Sequence, residues 1–121
     1  MITDKEQIRR AVEYVFEQGM YIPLPRDMFD DICPNPEYLI HVNGRSAAEA
    51  IRLLQIEAAI AARMDFAGMV LYLNSRSVTM AELDTINTIV KSLRPARRFQ
   101  ACSSLAKPEE GEIEIWIFGQ T

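Results

Sequence analysis

The chain has 121 residues, of which 49% are hydrophobic, and this is enough to bury one core and too little for two ordinary domains. Its net charge of -4 lacks the basic excess that a phosphate backbone requires, which argues against a nucleic-acid partner. The longest apolar runs, Ala58 to Ala62 and Phe66 to Leu73, fall far short of the roughly 20 residues of a membrane span, and the amino terminus is charged where a signal peptide would be apolar. A single cytoplasmic domain over 1–121 is expected, with an N-terminal helix in 1–20, a Pro/Asp-rich loop in 21–36 and an α/β core in 37–121.

Three helix starts carry a capping-box pattern, Ser or Thr followed three residues later by Glu: Thr3 with Glu6, Ser46 with Glu49, and Thr79 with Glu82. The first helix runs from Asp4 to Glu17, aligns Ile8, Ala11, Val12 and Val15 on one face, and stops near Gly19. The loop Ile22-Pro-Leu-Pro25 leads into Arg26-Asp-Met-Phe-Asp-Asp-Ile32, where Asp27, Asp30 and Asp31 lie close together. Such carboxylates either orient a water or a cation, or are the ordinary acids of a helix start.

A strand over Glu37 to Val42 ends at the turn signal Asn43-Gly44. The second helix, Ala47 to Arg63, presents Ile51, Leu54, Ala58 and Ala61. Phe66 to Leu73 is apolar on both faces, the pattern of a central strand. The third helix, Met80 to Leu93, buries Leu83, Ile86, Val90 and Leu93, and Pro95 ends it. Strands over Arg98 to Ser103 and Glu112 to Phe118 flank Lys107-Pro-Glu-Glu-Gly111, read as a hairpin connection. After the first helix the order is β-α-β-α-β-β, which predicts an α/β two-layer sandwich with a four-stranded mixed sheet and an added N-terminal helix.

In the last strand Ile113, Ile115 and Ile117 share one face, while Glu112, Glu114, Trp116 and Phe118 share the other. Either the first helix covers Trp116 and Phe118, or they form an aromatic contact patch. Lys91, Arg94, Arg97 and Arg98 cluster at the end of the third helix, where they offset its macrodipole or meet an anion or acidic partner.

No catalytic constellation stands out. His41, the single histidine, lies in a strand without metal-ligand spacing around it, and Cys33 and Cys102 fit no metal pattern and are expected as thiols. Ser75, Ser77, Ser103 and Ser104 lack a nucleophile-elbow context, and five glycines form no phosphate cradle. No metal and no cofactor are expected.

Three stretches together carry a family resemblance: Ala67-Gly-Met-Val-Leu-Tyr-Leu-Asn74, Val78-Thr-Met-Ala-Glu-Leu83 and Gly111-Glu-Ile-Glu-Ile-Trp-Ile-Phe-Gly119. In order and spacing, Glu6 to Gly119 resembles the back half of FtsZ, the tubulin-like cell-division GTPase: its central helix, the following loop and the C-terminal domain. That family's loop carries an N-x-D-x-x-D pattern whose acids reach the neighbouring subunit's nucleotide pocket and help activate the attacking water. Asp27 and Asp30 keep the D-x-x-D spacing, whereas Pro25 stands at the asparagine position. Nothing here matches the nucleotide-binding half. The resemblance therefore implies a free-standing, non-catalytic interaction module that docks on a polymerising GTPase or self-associates, with Asp27, Asp30 and Asp31 near the contact. The alternatives are a small enzyme or ligand-binding oligomer with inter-subunit clefts built from Arg97, Arg98, His41 and Tyr72, and a structural oligomer joined through Trp116 and Phe118.

Overall fold

The structure, a computed structural model, describes residues 1–17, 25–75, 78–103 and 112–121. Its elements are α1 (Lys5–Glu17), α2 (Arg26–Ile32), β1 (Tyr38–Gly44), α3 (Ala47–Ala61), β2 (Gly68–Ser75), α4 (Met80–Ser92), β3 (Arg97–Ser103) and β4 (Ile113–Gln120). The four strands form one mixed sheet in the order β1-β4-β2-β3. The α/β class, the mixed sheet and the three expected helices match the expectation from the sequence, although not all of their caps do.

Two differences bear on the site. The Pro/Asp-rich segment contains a helix: Phe29 N–H donates to the Pro25 carbonyl, 3.1 Å, and Cys33 N–H to that of Phe29, 2.7 Å. The second difference is that β3 and β4 do not form a hairpin. β3 runs parallel to β2, and β4 lies antiparallel between β1 and β2. The burial of the strands explains this order. β4 is apolar on both faces and is buried along nearly its whole length, so it belongs in the middle of the sheet. β3 begins with Arg97 and Arg98, and charged residues suit an edge. The expected connection at 107–111, and the helix stop near Gly19, lie outside the described residues.

Asn43 and Gly44 are the last two residues of β1, paired with Glu114 and Ile113, and are not a turn. The glycine serves a close approach: a Cβ at Gly44 would lie 2.7 Å from the backbone nitrogen of Ala50 in α3. Two backbone hydrogen bonds between Ile2 and Leu39, 2.8 and 2.9 Å, pair part of the outer edge of β1.

α3 and α4 cover one face of the sheet, where Ile40, Leu54, Leu71, Ile86 and Ile115 are buried together. α1 and α2 cover the other, over Val12, Phe29, Val70, Trp116 and Phe118. Each fully buried isoleucine of β4 contributes about 2 kcal/mol of transfer free energy, so the alternation along this one strand ties both layers together. The capping box is reciprocal only at α4, between Thr79 and Glu82. At α3 only the Ser46 side chain accepts, from Glu49 N–H at 3.2 Å. At α1 the cap is Asp4, which accepts from Gln7 N–H at 2.9 Å, while Glu6 turns to Arg9 and Arg10. Asp4 wins because its carboxylate is charged and already stands at the helix start.

Candidate functional site

α2 has no side-chain cap, since Pro25 precedes it, and seven residues are too few to hold a helix by propensity alone. Tertiary anchors hold it instead. Phe29 is buried and packs edge-on against Phe16 and Phe118, with ring centroids 5.4 Å apart in both pairs. The Arg26 guanidinium lies over the Phe16 ring, 4.8 Å from its centroid. Gly68 of β2 lets the end of α2 approach the sheet: a Cβ there would stand 1.8 Å from the Ile32 carbonyl oxygen.

This anchoring turns the acidic residues outward, where Asp27, Asp30 and Asp31 are all exposed. Their environments differ. Asp30 accepts from Arg26 Nε one helical turn before it, at 3.3 Å. Asp31 is held by Arg97 of β3, which also donates to the Asp31 carbonyl at 3.2 Å. The hydrogen bond and charge of Arg97 pull the Asp31 carboxyl below its ordinary value. Asp27 has no ion-pair partner among the described residues. Beside α2, a groove of about 290 Å³ runs against α1, floored by Ile8, Val12 and Phe29 and rimmed by Arg9, Arg26 and Asp30.

The basic cluster divides. Arg97 points to the α2 side and pairs with Asp31, whereas Lys91, Arg94 and Arg98 line an open depression on the α4 side. Alternation along β3 sends its first two residues to opposite faces of the sheet.

Trp116 and Phe118 are 3% and 0% exposed, so the aromatic contact patch expected there is not on this chain's surface. α1 and α2 supply the cover, and His41 adds to it by stacking on the Trp116 ring. Tyr72 is buried against the same indole, 5.3 Å between centroids. Arg97 and Arg98 pair with Gly68 and Met69 at the start of β2, whereas Tyr72 lies further along the strand beside Trp116. The four residues of the cleft reading are therefore not brought together within one chain.

His41 Nε2 lies 3.5 Å from the Glu114 carboxylate. Next to Glu114 on β2, Asn74 is 1% exposed and neither amide atom has a hydrogen-bond partner among the described residues. Among the described residues no group of three His, Cys, Asp or Glu is placed to hold a metal ion, and no helix is long and apolar enough to cross a membrane. The α2 anchors were missed in the sequence. An aromatic inside an acidic heptad, Phe29 within Arg26–Ile32, was the signal that could have found them.

No family model and no curated protein matches the chain. Solved structures do. An FtsZ dimer from M. jannaschii, described as empty, superposes with a TM-score of 0.60 at 13% identity, over 95% of this chain and 37% of that one. A point mutant of FtsZ from the same organism gives 0.62 at 13% identity, over 96% and 38%. The chain spans little more than a third of the length of these FtsZ chains. At this level of identity the likeness concerns the fold alone, and the fold is the one that the resemblance implied: a domain like the C-terminal part of FtsZ.

Proposed function

We propose that the chain is a non-catalytic interaction module that docks on a polymerising, tubulin-like GTPase through the outward face of α2. The carrying observation is Asp27, an exposed carboxylate with no ion-pair partner among the described residues, on a helix pinned by Phe29 and by the close approach at Gly68. A carboxylate held this way meets a cationic group or a water on a partner without first leaving an internal partner. Asp30 follows at modest cost, because an exposed pair one helical turn apart such as Arg26 and Asp30 is worth only about 0.3–0.5 kcal/mol. Fold likeness by itself does not fix a function, so the α2 surface must be tested directly.

The test is capture of the tagged chain from its native lysate with GTP present, beside an Asp27→Ala, Asp30→Ala double variant whose thermal melt is checked first. Recovery of a tubulin-like GTPase by the parent chain and its loss from the double variant supports the docking role. Equal recovery by both removes α2 from the contact. Recovery of the chain alone, again lost in the variant, makes the partner a second copy, as in the FtsZ dimer that the fold resembles.

A further inference from the structure

At its C-terminal end α4 stops in an unusual way. Arg94 N–H donates to the Lys91 carbonyl at 2.9 Å, and Arg94 itself takes φ 52, the left-handed conformation in which glycine is the ordinary occupant. Pro95 follows, and the chain enters β3. Lys91, Arg94 and Arg98, with Pro95 and Ala96 between them, line an open depression of about 420 Å³. All three cations are exposed, and among the described residues none has an ion-pair partner and no carboxylate lines the depression.

Offsetting the helix macrodipole does not account for this set. The negative end of a helix carries about half an elementary charge and its effect fades within the last turn, so Lys91 satisfies it. Arg98 comes from another element, and Arg94 keeps a long cationic side chain where glycine would make the turn without strain. Arg97 shows what a satisfied neighbour looks like: one residue away on the opposite face, it is fully engaged by Asp31.

The form of the depression selects its occupant. Small-molecule sites bury most of the ligand in a largely apolar cleft, whereas the apolar lining of this surface among the described residues is Pro95 and Ala96. A nucleic acid needs an extended basic stripe, whereas this is one spot on a chain of net charge -4. Two arginine forks on one open surface match carboxylates presented along a peptide. We propose that the depression formed by Lys91, Arg94 and Arg98 is a docking point for an acidic segment of a partner protein. It is independent of the α2 surface.

The experiment is fluorescence anisotropy of a labelled glutamate-rich decapeptide titrated with the full chain, with the glutamine version of the peptide and inorganic phosphate as competitors. Saturable binding is expected for the glutamate peptide and not for the glutamine one, weakening as salt rises. Arg94→Gly should weaken it about threefold while raising the melting temperature, because glycine relieves the left-handed backbone. The double variant Lys91→Gln, Arg98→Gln should weaken it about tenfold, and Arg52→Gln on α3 should leave it unchanged. Absence of saturable binding overturns the proposal, as does an equal loss in Arg52→Gln, which would mean general charge attraction. Inorganic phosphate displacing the peptide at lower concentration than unlabelled peptide does would overturn it too, in favour of a phosphate site.

Discussion

His41 lies flat on Trp116, with ring centroids 4.8 Å apart and planes within 10° of parallel, so an exposed imidazole forms the outer wall of a buried indole. Direct pairing of His41 with Trp116 across β1 and β4 stacks the two rings, and Tyr14 and Tyr72 close on the same indole at 5.6 and 5.3 Å.

His41→Ala should therefore cost about 1 kcal/mol and open one edge of the indole to water. Trp116 is the only tryptophan, so its emission reports the change: a red shift and stronger quenching by acrylamide are expected. Unchanged quenching would show that the stack does not shield the ring.

Gly68→Ala should displace α2. The new methyl group would meet the Ile32 carbonyl oxygen, which is backbone and cannot swing aside. Overpacking of this kind costs about 2 kcal/mol, visible as a lower melting temperature. If α2 carries the docking surface, the same variant should also lower partner capture while retaining Asp27 and Asp30.

The Asp31 pair with Arg97 sets a small acid sensitivity. The carboxyl sits below its ordinary value of 3.8 in the folded chain, so the contribution is fully present above that value and is lost as pH falls through the lowered one. Arg97→Gln should flatten the loss of melting temperature between pH 5 and pH 3. An acid limb identical to that of the parent chain would show that the pair contributes nothing measurable. The effect is expected to be modest, since both groups are exposed.

Cys33 is buried, and desolvation pushes its thiol up from 9.0 to about 12. In a Cys102→Ser background, native chain at pH 8 should alkylate with iodoacetamide at least tenfold more slowly than chain in denaturant. The unfolded thiol ionises first, so this group's contribution to stability is whole below about pH 9 and is lost as pH rises towards about 12. Rapid native alkylation would place Cys33 in a locally open segment.

Much of the fold is legible in the sequence. Thr79 with Glu82 marked the start of α4 at Met80, and the unbroken apolar run of β2 marked a strand covered on both faces. The pairing of β4 was misread because adjacency in sequence favours a hairpin, although Trp116 and Phe118 opposite three isoleucines already described a strand with two buried faces. Of the candidate site, the acidic segment was legible as composition only. That Asp31 is occupied, Asp30 lightly held and Asp27 unengaged depends on Arg97 and Arg26, and Arg97 is 66 residues away from Asp31 in the chain.

Local rules act over a few residues, and for that reason capping and periodicity by themselves determined α1, α3, α4, the strands and the α/β class of this protein, whereas α2 depends on its tertiary anchors. The tertiary structure decided which strand entered the middle of the sheet, which aromatics disappeared beneath α1 and α2, and which charges were left without a partner. Those outcomes come from burial and pairing between segments far apart in sequence, where the free energy belongs to the contact and neither segment carries it alone.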